Sequence, residues 1–249
     1  MVRTRGDCSI SELANALDVS DETIRRTIKP MVTEGLVEKV HGGILLTEPG
    51  GQEPPFSRRM QEHVKEKSAI AECIAELVTS GDSIMLDTGS TNAYIARALR
   101  RHDNLSVVTN CTEIARTLAP VPGNRVHITG GELRADDSAS FGPSAIEFVR
   151  QFQVKYAILS IGAITIDGDF MDFHLEEAEF SRAVIAQAQQ VIVAADHSKF
   201  GSRAFVRICD RQLINILVSD KAPPDGVSQV FHDADITIMT PSTRLSSFD

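Results

Sequence analysis

Hydrophobic positions change their period along this chain, and the changes mark out its elements. Over residues 9–31 they recur every three or four residues, as on short amphipathic helices. Ser9-Ile-Ser-Glu12 is a capping box, in which serine and glutamate satisfy each other's backbone N–H groups. The helix behind it carries Leu13, Ala14 and Leu17 on one face. Asp18-Val19-Ser20 makes a tight turn, and Ser20 caps a second helix with Ile24, Ile28 and Met31 as its buried stripe and Gly35 as its end. From Leu36 to Leu46 the apolar residues alternate around a Gly-Gly turn, which predicts a β-hairpin.

A break follows at Glu48-Pro-Gly-Gly-Gln-Glu-Pro-Pro-Phe-Ser-Arg58, where glycine and proline can neither continue a helix nor sit in a central strand. The expected organisation is therefore a small domain over residues 1–48, a linker over 49–62 and a larger domain over 63–249. In the larger part, strands alternate with amphipathic helices. Ala69, Ile70, Cys73, Ile74, Leu77 and Val78 form one helical stripe, and Ile95, Ala96 and Leu99 another. Strands are expected at Ser83–Asp87, Ser106–Thr109, Val126–Thr129, Tyr156–Ile161, Val191–Ala195, Ile214–Val218 and Ile236–Met239. This is the pattern of an α/β domain with a mainly parallel sheet, whose ligands bind beyond the carboxyl ends of the strands.

Composition narrows the class. The chain has 249 residues, 42% hydrophobic and 24% charged, which excludes whole-chain disorder. It has no run of about 18 apolar residues to span a membrane and no apolar leader at its start, so a cytoplasmic protein is expected. Cys8, Cys73, Cys111 and Cys209 are scattered and the seven histidines lack ligand spacing. Reduced thiols are expected, and no metal or cofactor is assigned. The net charge of −9 argues, taken alone, against an electrostatic partner for nucleic acid. Even the first 50 residues hold eight acids against six bases.

Helix, tight turn, helix and hairpin is nevertheless the layout of a winged helix-turn-helix, in which the second helix enters the major groove. Ser20 at its start and Thr23, Arg25, Arg26 and Lys29 on its outer side suit base edges and phosphates, and Lys39, His41 and Gly42 of the hairpin suit the DNA backbone. A solvated helix face is the plainer reading of the same basic residues. In the larger part, Asp87-Thr88-Gly89-Ser90-Thr91 closes a strand and opens a helix. There the helix N–H groups and hydroxyls favour an anion such as phosphate. A simple helix cap fits those residues equally well. Lys199, in Asp196-His-Ser-Lys-Phe-Gly201, stands at another strand end, and Asn110, Gly130 and Gly131 at two more. Glu176 and Glu177 open a helix, where the macrodipole favours acids. Glu177 is the candidate general base, with no paired acid legible.

Taken together, these pieces resemble the DeoR-type family of bacterial repressors over nearly the whole chain. The resemblance is carried by Val19-Ser-Asp-Glu-Thr-Ile-Arg-Arg26, His41-Gly-Gly43, Asp87-Thr-Gly-Ser-Thr91, Thr109-Asn110, Gly130-Gly-Glu-Leu-Arg134 and Asp196-His-Ser-Lys-Phe-Gly201. It implies a winged helix domain on operator DNA and a sensor domain related to sugar-phosphate isomerases. A phosphorylated sugar or polyol would be the effector, bound by Asp87, Gly89, Ser90, Thr91 and Lys199 and usually releasing the DNA. Ile166-Asp-Gly-Asp-Phe-Met-Asp-Phe173 and the 196–201 motif are similar to the branch that answers to glycerol 3-phosphate. A homo-oligomer, dimer or tetramer, is implied as well.

Three departures from the family pattern stand out. Thr27-Ile28 replaces Asp-Leu, and Ser181 stands where the family often has a lysine. Only eight residues precede Ser9, where the family has a further helix, so this chain is expected to bind DNA more weakly than a version extended upstream. The alternative function is an isomerase-like enzyme with a vestigial helix-turn-helix.

Overall fold

The computed structural model describes residues 7–33, 37–40, 43–46 and 53–242. The expected helix end at Gly35, the hairpin positions His41 and Gly42, and linker positions 49–52 lie outside them. The chain divides into two units, Met1–Gln52 and Glu53–Asp249.

The smaller unit runs β1 (Asp7–Ser9), α1 (Ile10–Leu17), α2 (Asp21–Thr33), β2 (Val37–Val40) and β3 (Gly43–Leu46). Both halves of the capping box are made: Glu12 N donates to Ser9 Oγ at 3.1 Å, and Ser9 N donates to Glu12 Oε2 at 2.8 Å. Asp18, left-handed at φ 52°, closes α1, and Ser20 Oγ accepts from Thr23 N at 3.2 Å to start α2. The strands pair antiparallel in the order β1-β3-β2. A Cβ at Gly43 would stand 2.6 Å from the Cys8 carbonyl oxygen, so only glycine lets β3 lie this close to β1. Cys8, Ile10, Leu13, Ala14, Ile24, Ile28, Val37 and Ile44 make the core.

Two expected core positions are solvent-facing. Leu17 is 63% exposed at the last position of α1, and Met31 is 37% exposed. The i, i+4 row of α2 runs from Ile24 through Ile28 to Val32, so Val32 takes the place expected of Met31. Pro30 sits inside α2 on its exposed side, where water can satisfy the carbonyl that proline leaves unpaired.

In chain order the larger unit comprises α3 (Phe56–Arg59), α4 (Val64–Leu77), β4 (Ser83–Leu86), α5 (Ser90–Leu99), β5 (Ser106–Thr109), α6 (Thr112–Leu118) and β6 (Arg125–Ile128). It continues through α7 (Pro143–Val149), β7 (Val154–Ser160), β8 (Ala163–Ile164), β9 (Phe170–Asp172), α8 (Leu175–Ile185) and β10 (Ala188–Ala194). It closes with β11 (Val206–Arg207), β12 (Ile216–Val218), α9 (Asp225–Asp233) and β13 (Thr237–Met239). Seven strands form one sheet in the order β13-β12-β10-β7-β4-β5-β6, every pairing parallel. All seven expected strands are present, each within a few residues of its expected bounds.

Apolar residues cover both faces of the sheet, as parallel strands demand. Along β7, Tyr156 and Ile158 face a core built with α4, α5 and α6, whereas Ala157 and Leu159 face one built with α7, α8 and α9. Phe170 and Phe231 stack at 5.3 Å in the second of these. Strand order reverses between β4 and β7. Such a switch point leaves a crevice at the carboxyl ends of the two strands. A second, small antiparallel sheet, β11-β9-β8, was not legible in the sequence.

Candidate functional site

The Asp87–Thr91 segment lies at that crevice. Gly89 starts α5 with φ 144°, and a Cβ there would come within 2.5 Å of the Ser160 Cβ at the end of β7. Glycine is what lets the two strand ends meet. Among the described residues no side chain caps α5, so the alternative of an ordinary helix cap is not the arrangement found. Ser90 and Thr91 are buried in its first turn. The amides of an uncapped helix start, with the helix dipole behind them, suit an anion.

Asp87 does not face that helix start as a cap. Its Oδ1 accepts from Asn92 Nδ2 at 2.6 Å and from the Ser160 amide at 2.9 Å, and its Oδ2 accepts from Ser181 Oγ at 3.3 Å. Burial pushes its carboxyl well above the usual range against the pull of the Ser160 amide, and the charge of Glu177 adds to the rise. Ser181, standing where the family often has a cation, thus leaves Asp87 with neutral partners. A small cleft is lined by Asp87, Thr88, Phe141, Ser160, Asp172, Glu177, Phe180 and Ser181.

Glu177, near the start of α8, does have a paired acid, which the sequence reading lacked. Asp172 at the end of β9 hydrogen-bonds to it, and burial together with the Glu177 charge drives the Asp172 carboxyl far upward. Arg134 binds the outer side of the pair. Its guanidinium contacts Glu177 and Asp137 and reaches Glu176 at 3.3 Å, and it lies 4.5 Å over the Phe141 ring. Burial works against the Asp137 charge, but the Arg134 hydrogen bonds win and hold that carboxyl below its ordinary range. Thr88 Oγ1 donates to Asp137 Oδ2 at 3.1 Å, which ties the 87–91 turn to this network.

Asn110, Gly130, Gly131 and Lys199 do not line this cleft. Asn110 is fully buried beyond β5 and donates to the Ser140 carbonyl at 3.1 Å. Its Oδ1 has no partner among the described residues. Gly130 and Gly131 are exposed beyond β6. Lys199 lies half-buried in a short turn past β10, where its charge favours the ionised forms of Glu53 and Asp196.

Sequence reasoning missed Arg134, Asp137, Asp172, Ser160, Glu53 and Arg59. Two of them had a signal: Arg134 ends the Gly-Gly-Glu-Leu-Arg motif, and Asp172 lies in the Ile166–Phe173 motif. Among the described residues, two sets of donors come together closely enough to consider for a metal: Glu53, His174 and Glu177, and Glu66, His197 and Asp220. In the first, Arg59 and Arg134 already bind the carboxylates. In the second, His197 Nδ1 lies 2.7 Å from Asp220 Oδ2 and its Nε2 lies 3.4 Å from Lys221 Nζ. Neither set is assigned a metal.

In the smaller unit, Arg25, Arg26 and Lys29 are exposed along α2 and Lys39 is exposed on β2. Thr23 is half-buried, with its Oγ1 2.9 Å from Ser20 Oγ. Strand β1, helices α1 and α2 and the β2–β3 hairpin have the arrangement of a winged helix-turn-helix.

A helix-turn-helix unit joined to a parallel α/β unit with an anion-suited switch point defines a class of ligand-responsive regulators. The chain belongs to the DeoR family: residues 1–49 match the DeoR-like helix-turn-helix domain and residues 62–221 the DeoR C terminal sensor domain. It is 35% identical to the HTH-type transcriptional repressor CsqR of Escherichia coli K12, with 97% of this chain and 92% of that protein covered. It is 33% identical to the glycerol-3-phosphate regulon repressor of the same organism, over 96% of this chain and 94% of that protein. Ribose 5-phosphate isomerase A of Methanocaldococcus jannaschii overlaps 56% of this chain and 55% of its own, at 15% identity and a TM-score of 0.40. No helix among the described residues is long and apolar enough to cross a membrane.

Proposed function

We propose that the protein is a transcriptional repressor whose affinity for operator DNA is set by a phosphorylated sugar or polyol, with glycerol 3-phosphate as the leading candidate. Residues 1–48 bind DNA, 63–249 sense, and 49–62 join them, the part from Glu53 onward being packed on the larger unit. Arg25, Arg26 and Lys29 on α2, with Ser20 and Thr23 at its start, meet the major groove, while Lys39, His41 and Gly42 meet the backbone. Asp87, Thr88, Gly89, Ser90, Thr91, Asn110, Gly130, Gly131, Glu177 and Lys199 form or border the effector site. The observation that carries this reading is the uncapped start of α5 at the switch between β4 and β7, which suits a phosphate group.

Carboxylates beside that position give the site a use for a polyol: Asp172 and Glu177 can exchange hydrogen bonds with hydroxyls. The names of two relatives, a repressor and a glycerol-3-phosphate regulon repressor, support the same reading. Control of DNA follows if the effector binds one arrangement of the chain, or of a dimer or tetramer of chains, better than the arrangement that fits DNA. A thermal-shift and calorimetric screen of phosphorylated sugars and polyols tests it. Stabilisation by at least one of them beyond that given by inorganic phosphate is expected; none doing so would remove the sensor assignment.

A second reading, sugar-phosphate isomerisation, is favoured by the Asp172–Glu177 pair, which resembles a general acid beside a base. Against it, Arg134 occupies Glu177. Steady turnover of ribose 5-phosphate or a related sugar phosphate would decide for the enzyme.

A further inference from the structure

Residues 53–62 fall in the expected linker, yet they are bound down on the larger unit. The Phe56 amide donates to both Asp136 oxygens at 3.0 and 3.1 Å, and Tyr94 Oη donates to the Met60 carbonyl at 2.9 Å. Buried Lys67 donates its Nζ to the carbonyls of Arg59 and, at 3.0 Å, Glu62. Burial lowers the Lys67 pKa to about 8. Residues 56–63 are therefore fastened at several points along the backbone.

Glu53 is held differently. Its carboxylate pairs with Arg59 Nη1 at 2.5 Å, both side chains about nine-tenths buried. Among the described residues this is its ion pair, and it stands just before Pro54-Pro55. The carboxylate lies within 4.8 Å of donor atoms of Glu177 and His174. Arg134 and Lys199 add favourable charge, while Glu177 adds an unfavourable one. Burial raises its pKa to about 7 even with Arg59 alongside, so this is an uncomfortable place for a carboxylate. Arg59 Nε is a buried donor with no acceptor among the described residues. A group with more acceptor oxygens than a carboxylate would serve this cluster of cations better.

We propose that the phosphate of an effector seated at the start of α5 also reaches Arg59, and that Glu53 is a tethered carboxylate which this phosphate displaces from the arginine. The fastened segment from Phe56 onward stays in place. What is released is Glu53 and Pro54, the residues at which the larger unit begins and beyond which the chain continues into the DNA-binding unit. Effector binding is thereby written into the connection between the units by competition for one arginine. The proposal rests on the effector reading above.

Calorimetry at pH 8 on the full chain, with inorganic phosphate and glycerol 3-phosphate as probes, compares wild type with Glu53→Gln. Removing the internal competitor should tighten binding of both anions about tenfold, the loss of one charge-assisted hydrogen bond that the ligand must break. A second measurement uses the wild type alone. The Glu53 side-chain carboxyl, assigned by triple resonance and followed by carbon NMR against pH, should titrate near 7 without phosphate. With phosphate bound it should fall into the ordinary glutamate range as it leaves Glu177, Asp172 and His174 for water. Equal or weaker anion binding by Glu53→Gln, or a Glu53 carboxyl that keeps its raised pKa with phosphate bound, overturns the competition. If neither protein binds either anion, the sensor reading itself fails and this inference goes with it.

Discussion

Gly89→Ala tests whether the meeting of β4 and β7 depends on one missing side chain. Two costs are added by the methyl group. At φ 144° an L-residue is held in sparsely populated backbone space, which costs roughly 1–3 kcal/mol. The new Cβ also stands 2.5 Å from Ser160 Cβ and closer still to Ser160 Oγ. Overpacking of that kind costs about 1–3 kcal/mol more. The sum, about 2–6 kcal/mol, falls on the larger unit, where roughly 2–4 °C of Tm are lost per kcal/mol. Urea and thermal denaturation of Gly89→Ala, Ser160→Gly and the double variant separate the two costs. Ser160→Gly removes the obstructing side chain but leaves the φ penalty, so the double variant should recover about half of the loss and no more. A loss below about 0.5 kcal/mol for Gly89→Ala, or full recovery in the double variant, refutes the close-approach argument. Phosphate binding should fall in Gly89→Ala, because the start of α5 must move away from Ser160.

Other consequences are open to simple assays. Glu53, raised to about 7, binds its proton more tightly in the folded chain than unfolded, so its contribution to stability is lost as pH rises from about 4.5 through 7. Relative to Glu53→Gln, wild type should lose about 3 kcal/mol over that window in urea melts, and parallel pH profiles would contradict this. Ser9→Ala breaks the capping box and should cost the smaller unit about 1 kcal/mol, read by the helical CD transition. Arg25→Ala and Arg26→Ala, at exposed positions, should leave the melting curve within about 0.5 kcal/mol of wild type. Each should weaken DNA binding; a variant that has lost a phosphate contact should also lower the salt slope by about 1. Unchanged DNA affinity for both would remove α2 as the reading helix.

The sheet was legible because each buried parallel strand is a short apolar run, and the helices between them keep a 3.6-residue period. The capping box and the Ser20 cap were legible because their partners lie three residues away. What escaped the sequence was contact at long range. Arg134 reaches Glu177 across 43 positions, and even Asp172 and Glu177, five positions apart, pair only because the turn between β9 and α8 brings their carboxyls together. Residues 53–62 follow closely on Gly50-Gly51 and begin Glu53-Pro54-Pro55, the signature of a linker, and nothing local announces that Asp136, Lys67 and Tyr94 will fasten them. The two-residue and three-residue strands of the small sheet are too short to show a period. Net charge misled for a simpler reason: the exposed cations of α2 are few, and a whole-chain sum of −9 hides them. The same sum predicts modest, salt-sensitive non-specific binding.

The central claim is that a phosphorylated ligand at the β4–β7 switch point changes the grip of α2 on DNA. Fluorescence anisotropy measures it directly, using a labelled operator isolated by binding-site selection and titrated with protein at fixed glycerol 3-phosphate. A coupling of about 1–3 kcal/mol, seen as a 5- to 150-fold weakening of operator binding and absent with unphosphorylated glycerol, is the expected result. Operator affinity that stays the same at saturating levels of every phosphorylated compound that binds would contradict the account.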